Sequence, residues 1–123
     1  LDRKPKALSG GQRQRVWIAM SLAQATDILL LDEPTTYLDI RYQLDILRLV
    51  KKLNREYGIT IVMVLHEINQ AIHFSDEVIG LKEGKVLVQG DPKDVITTES
   101  ISELYDVHLN VADIDGQKFV LTV

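Results

Sequence analysis

The sequence predicts an α/β fold, in which a mainly parallel sheet has flanking helices and is followed by a C-terminal helical and hairpin extension. Two short apolar runs, residues 28–31 and residues 60–65, are too brief for helices and have the unbroken hydrophobicity of strands covered on both faces. Apolar residues at helical spacing separate the two runs. This order of strand, helix, strand and helix favours parallel strands.

The elements around the first strand have recognisable ends. Before it, Ser9 takes an N-cap position with Gln12 three residues later, as in a capping box, and the apolar residues that follow predict a well-buried helix. Pro34 ends the strand. Asp39 can cap the next helix, and Gly58 ends that helix.

The second half of the chain predicts shorter elements. Residues 67–74 indicate a short helix, and two apolar stretches on either side of residues 82–84 indicate a hairpin. Helical material is expected from Pro92 through about residue 105. Residues 107–123 alternate apolar and polar side chains around Asp115-Gly116, which predicts a second hairpin.

The composition excludes several classes of protein. The formal net charge of −4 argues against nucleic acid as a general partner and against attraction to an anionic membrane surface. The absence of cysteine removes disulfides and thiolate metal sites, which suits the cytosol. No apolar run approaches the length that spans a bilayer. Because the first residue is Leu1 and not methionine, we expect the sequence to be a piece of a longer protein.

A glycine pair opens the first predicted helix, directly after Leu8 and Ser9. A helix N-terminus presents unpaired N–H groups that favour a phosphate. Gly10 and Gly11 lack Cβ atoms, so an anion can approach the backbone closely. A capped helix with flexible glycines is the alternative for such a segment taken alone.

Two carboxylates, Asp32 and Glu33, end the first predicted strand. This is the edge of an α/β sheet where ligands usually bind, although a capping pair in a strand-to-helix turn is the structural alternative. Among the three histidines, only His66 directly follows a buried strand. His73 and His108 match no pattern and have no metal-ligand spacing, so we interpret both as structural.

Together and in this order, Leu-Ser-Gly-Gly-Gln at residues 8–12, Asp32-Glu33 and His66 resemble the ATP-binding-cassette (ABC) ATPases, in which the first motif is the family signature. The resemblance implies a partial P-loop NTPase fold that works with ATP and Mg²⁺. It assigns residues 1–90 to the C-terminal half of the nucleotide-binding core and residues 91–123 to a C-terminal extension.

The resemblance also implies a role for each site residue. Asp32 helps to hold Mg²⁺, Glu33 is the general base for the attacking water, and His66 is the switch histidine that orients this water. Asp39 matches the aspartate of the D-loop at the subunit interface, although the family usually has a small residue where Tyr37 stands. The residues expected to contact nucleotide are Ser9, Gly10, Gly11, Gln12 and Asp39.

The family's phosphate-binding loop, Gly-x-x-x-x-Gly-Lys followed by Ser or Thr, is not found in these residues. Gly84-Lys85 fails the pattern because Gly80 is one position too near and Val86 replaces the hydroxyl residue. We therefore expect the 123 residues alone to be inactive as an ATPase. We also expect them to self-associate, because truncation would leave strand edges and apolar surface exposed.

Several segments look like the ATPases of bacterial iron-siderophore importers, namely residues 15–20, 38–40, 64–71 and 89–92. This implies an ATPase that powers import of an iron(III)–siderophore or a related metal chelate. Its partners would be a second ATPase subunit in a homodimer and transmembrane permease subunits, at the cytoplasmic face of the cell membrane. Two alternatives stay open, a non-transport ABC ATPase and a dimerising module without chemistry.

Overall fold

The computed structural model describes residues 27–122 of the chain, so the predicted signature helix at residues 9–12 and beyond lies outside the described part. The chain divides into two compact units between His66 and Glu67. The elements of the described part are β1 (Ile28–Asp32), α1 (Ile40–Tyr57), β2 (Thr60–Val64), α2 (Ile68–Phe74), β3 (Val78–Lys82), β4 (Lys85–Gly90), α3 (Pro92–Val95), α4 (Thr98–Tyr105), β5 (Asn110–Ile114) and β6 (Gln117–Leu121).

In the first unit, β1 and β2 are parallel, as predicted, with Leu30 opposite Val62. The helix between them begins and ends where its capping residues indicate. At its start, the carboxylate of Asp39 accepts a hydrogen bond from the N–H of Tyr42 (3.2 Å). At its end, Gly58 takes a left-handed conformation, and the N–H of Gly58 donates to the carbonyl of Asn54 (3.0 Å). The core of this unit lies between α1 and one face of the strands, and its buried residues are Leu29, Leu31, Ile46, Val50, Leu53 and Ile59.

In the described residues only one face of β1 and β2 is covered, which agrees with the expectation that these residues alone leave apolar surface exposed. Side chains alternate between the two faces of a strand, and α1 covers only one of them. On the opposite face, Ile28, Leu30, Val62 and Val64 are each more than half exposed. We call these four residues the open apolar face. Within the described part of the chain, β1 and β2 pair only with each other, so their outer edges are also unpaired.

We expect the 123-residue chain to self-associate through the open apolar face, because apolar patches and unpaired strand edges favour contact with another chain. Light scattering over a dilution series should give a mass above that of the monomer. The double variant Leu30→Lys/Val62→Glu should lower this mass, because it places paired charges at cross-strand neighbours. Ile40→Lys is the control, since Ile40 is exposed outside this face. A wild-type chain that stays monomeric at high concentration would contradict the prediction.

In the second unit, both predicted hairpins are confirmed. β3 and β4 are antiparallel around Glu83-Gly84, and β5 and β6 are antiparallel around Asp115-Gly116. The helical material predicted from Pro92 through about residue 105 is confirmed, and it forms two helices, α3 and α4. The interruption follows from Thr97, whose side chain accepts from the N–H of Ser100 (3.0 Å) and so starts a new helix.

In the core of the second unit, α2 packs against β6. The buried residues of this core are Ile72, Ile96, Ile101 and Val120. The amide of Asn69 exchanges two hydrogen bonds with the backbone of Val120 (2.8 and 3.1 Å), as a neighbouring strand would. His73 Nε2 lies 3.0 Å from the carbonyl oxygen of Lys118, which agrees with a structural role. The functional boundary between residues 90 and 91 stays a prediction, because division by compactness does not test it.

Candidate active site

Glu33 lies where the chain turns sharply out of the sheet. Its N–H donates to the carbonyl of Val64 (2.9 Å), which extends the pairing of β1 with β2 by one residue. Its φ of 52° is in the left-handed region, an uncommon conformation for a residue other than glycine. The next residue, Pro34, is fully buried. The turn therefore directs the Glu33 side chain away from the ladder at the carboxyl end of the strands.

His66 and Glu33 are in direct contact, Nε2 of the ring with Oε1 of the carboxylate. Glu33 is the first residue after β1, and His66 is the second residue after β2. Because the two strands are parallel and adjacent, their carboxyl ends meet at the same edge of the sheet. The pair is open to solvent, with the His66 side chain 76% exposed and the Glu33 side chain 34% exposed.

This pair offers acid–base chemistry at an accessible position. An ionised carboxylate accepts hydrogen bonds at both oxygens, so the Oε1 contact with His66 leaves Oε2 available to a water molecule. The imidazole holds the carboxylate and supplies an N–H donor, and it carries a charge only when protonated. A carboxylate with one oxygen in contact with His66 and the other open to solvent can accept a proton from a bound water.

Asp32 is the last residue of β1 and lies opposite Val64. It is exposed, on the face of the strands that also carries Leu30 and not on the face that packs on α1. In the part of the chain that the structure describes, no group of three His, Cys, Asp or Glu side chains is arranged to hold a metal ion. One exposed carboxylate nevertheless suits Mg²⁺, which is commonly held by one or two carboxylates together with waters and substrate phosphates.

Asp39 lies at the far end of the same loop and caps α1. Its capping role is confirmed, and its role at a subunit interface stays a prediction. Ser9, Gly10, Gly11 and Gln12, the other residues expected to contact nucleotide, lie outside the described residues. Thus the structure brings together Glu33 and His66, both placed at strand ends by the sequence analysis.

Sequence reasoning missed how the loop after Glu33 is held. The side-chain amide of Gln43 donates to the carbonyl of Leu38 (2.9 Å) and reaches that of Thr35 (3.5 Å). Tyr37 has a φ of 66° and a fully exposed side chain. No pattern in the sequence marks Gln43. At Tyr37 the sequence offered one signal of unusual local structure, a tyrosine where the family usually has a small residue.

A half-open cleft of about 150 Å³ lies entirely in the second unit. Its lining includes His73, Lys93 and Lys118 and contains none of the predicted site residues.

The described part of the chain has no helix that is both long and apolar enough to cross a membrane.

Residues 1–36 match the family model described as ABC transporter. This range contains the Leu-Ser-Gly-Gly-Gln segment and Asp32-Glu33. Among curated relatives, the ferric enterobactin transport ATP-binding protein FepC of Escherichia coli (strain K12) is 52% identical over 112 residues, which are 91% of this chain and 41% of that protein. The iron(3+)-hydroxamate import ATP-binding protein FhuC of Bacillus subtilis (strain 168) is 51% identical over 110 residues, which are 89% of this chain and 41% of that protein. The chain therefore spans about two fifths of the length of these relatives.

Solved structures show the same likeness. An ABC transporter in an inward-facing conformation superposes with a TM-score of 0.82 at 29% identity, covering 96% of this chain and 47% of that one. A dimeric bacterial ABC transporter cassette superposes with a TM-score of 0.62 at 47% identity, covering 73% of this chain and 38% of that one. The α/β fold is that of part of an ABC ATPase domain. The chain belongs to the family of ABC transporter ATP-binding proteins.

Proposed function

We propose that the complete protein hydrolyses ATP to power a bacterial importer of an iron(III)–siderophore or a related metal chelate. The observation that carries the hydrolytic part is the contact between Glu33 and His66 at the carboxyl ends of two parallel strands. The chelate class rests on the relatives, which are named for ferric enterobactin transport and iron(3+)-hydroxamate import.

The proposed reaction gives each residue of the pair one task. Glu33 takes a proton from the attacking water at its free oxygen, while the water oxygen bonds to the γ-phosphorus and the bond from that phosphorus to the β,γ-bridging oxygen breaks. His66 holds the Glu33 carboxylate in place through Nε2, and when the ring is protonated its Nδ1–H can also donate a hydrogen bond to the γ-phosphate. Asp32 would hold Mg²⁺, which neutralises phosphate charge when bound.

The proposed assembly is a homodimer in which Asp39 and the signature residues of one copy face the nucleotide of the other, with permease subunits binding the dimer at the cytoplasmic face of the membrane. The similarity to a dimeric cassette supports the pairing of two copies. The 123 residues alone contain no Gly-x-x-x-x-Gly-Lys loop and are expected not to hydrolyse ATP.

Deleting the complete gene tests the transport part of this proposal. The deletion should abolish uptake of a radiolabelled iron(III)–siderophore, and the wild-type gene should restore it. Purified complete protein should hydrolyse ATP in parallel assays. If the protein hydrolyses ATP but the deletion strain takes up every iron chelate and related metal chelate normally, an ABC ATPase with no role in this transport is favoured.

A further inference from the structure

Gln43 lies in the first turn of α1, and its side chain contacts the backbone of the loop that leads into this helix. The side-chain amide is partly buried, donates to the carbonyl of Leu38 (2.9 Å) and reaches the carbonyl of Thr35 (3.5 Å). Thr35 is buried, and a backbone carbonyl that is buried without a partner is costly. Gln43 therefore supplies donors to a loop that has no strand beside it.

The backbone of Glu33 is held at both of its polar groups. Its N–H donates to the carbonyl of Val64 (2.9 Å), and its carbonyl accepts from the N–H of Thr36 (3.2 Å). Its φ of 52° is uncommon for a residue other than glycine, and such conformations persist only where the surrounding structure fixes them. The bond from Thr36 is thus one of the two backbone contacts that keep Glu33 in its turn.

One peptide group connects Gln43 to Glu33. The carbonyl of Thr35 and the N–H of Thr36 belong to the same peptide unit, which is planar and rotates as a whole. Its oxygen accepts from the N–H of Leu38 (3.3 Å) and is reached by Gln43, while its N–H donates to Glu33. Fixing the oxygen of this unit therefore also fixes the direction of the N–H that holds Glu33.

We infer that Gln43 is a positioning residue for ATP hydrolysis, which orients the general base Glu33 through the peptide group between Thr35 and Thr36. Catalysis is sensitive to such positioning, because a displacement of about 1 Å that starts far from the reacting atoms can lower a rate by about 10²-fold. The inference rests on the proposed function, since Glu33 is the general base only in that proposal.

The first test is Gln43→Met in the complete protein, which keeps a side chain of similar length and removes the donor. We expect the turnover number for ATP to fall by roughly 10–100-fold, because the carboxylate of Glu33 is displaced. The KM for ATP should stay close to the wild-type value, since no contact with ATP is removed. Gln43→Glu has the shape of glutamine but only acceptor oxygens when ionised, so it should show the same loss. It decides the question if Gln43→Met does not fold.

The double variant Glu33→Gln/Gln43→Met separates positioning from a general loss of structure. If Gln43 acts through Glu33, adding Gln43→Met to Glu33→Gln should lower the residual turnover by less than about twofold. A general structural defect would instead lower turnover by the same factor in both backgrounds, and that result would overturn the inference.

Asn54→Leu is the matched control, because the side-chain amide of Asn54 donates to the carbonyl of Ile59 (2.8 Å) at the opposite end of α1. It removes the same kind of bond from the same helix and should keep the wild-type turnover number. Normal turnover in Gln43→Met would overturn the inference, as would an equal loss in Asn54→Leu or a raised KM with unchanged turnover. Absence of ATP hydrolysis by the wild-type protein would instead overturn the proposed function, so the two failures are distinguishable.

Discussion

In the complete protein, Glu33→Gln is expected to lower the turnover number for ATP by roughly 10²–10⁴-fold while ATP binding survives. Glutamine has the shape of glutamate, and its amide can still form a hydrogen bond with His66. It cannot take up the proton of the attacking water. Phosphate release under saturating ATP should therefore collapse, whereas the dissociation constant of ATP should remain close to that of the wild type.

Glu56→Gln is the matched control for this experiment, because Glu56 is an exposed glutamate of α1 in the same unit. It should hydrolyse ATP at the wild-type rate. Near-normal turnover in Glu33→Gln would mean that Glu33 is a structural acid and not the general base. Weak ATP binding in that variant would mean that Glu33 contributes to nucleotide binding.

The second large effect is expected for His66→Ala, which should lower ATP turnover by roughly 10²–10³-fold, as loss of a transition-state hydrogen-bond donor does. Folding should be spared, because the side chain is 76% exposed and carries little core volume. An exposed ion pair contributes only about 0–1 kcal/mol to the free energy of unfolding. Turnover and the denaturant midpoint should be measured on the same preparation.

His108→Ala controls for the loss of an exposed histidine, since His108 lies in the second unit and contacts Asn110 (3.1 Å). A lowered unfolding midpoint with normal turnover would assign His66 a structural role. The double variant Glu33→Gln/His66→Ala adds a further check. If the two residues act as a unit, its turnover should be close to that of the more damaged single variant.

The sequence alone predicted the elements whose ends depend on neighbouring residues. Asp39 caps the start of α1, and Gly58 ends it because glycine takes the left-handed conformation at no steric cost. Asp115-Gly116 marks the turn of the last hairpin for the same reason. The family, too, was identified from short motifs, because its chemistry needs particular residue types at particular places along the chain.

The tertiary structure alone decided which faces and side chains meet. An unbroken apolar run has the same sequence pattern whether a strand is covered on one face or on two. The exposure of Leu30 and Val62 was therefore decided by the face on which α1 packs. The contact between Glu33 and His66 joins residues far apart in sequence, and it exists because the register places Asp32 opposite Val64. Tyr37 is held at positive φ by tied neighbours on both sides, and its own residue type disfavours that conformation. Local patterns determine local conformation, whereas the site depends on the parallel pairing of two distant strands.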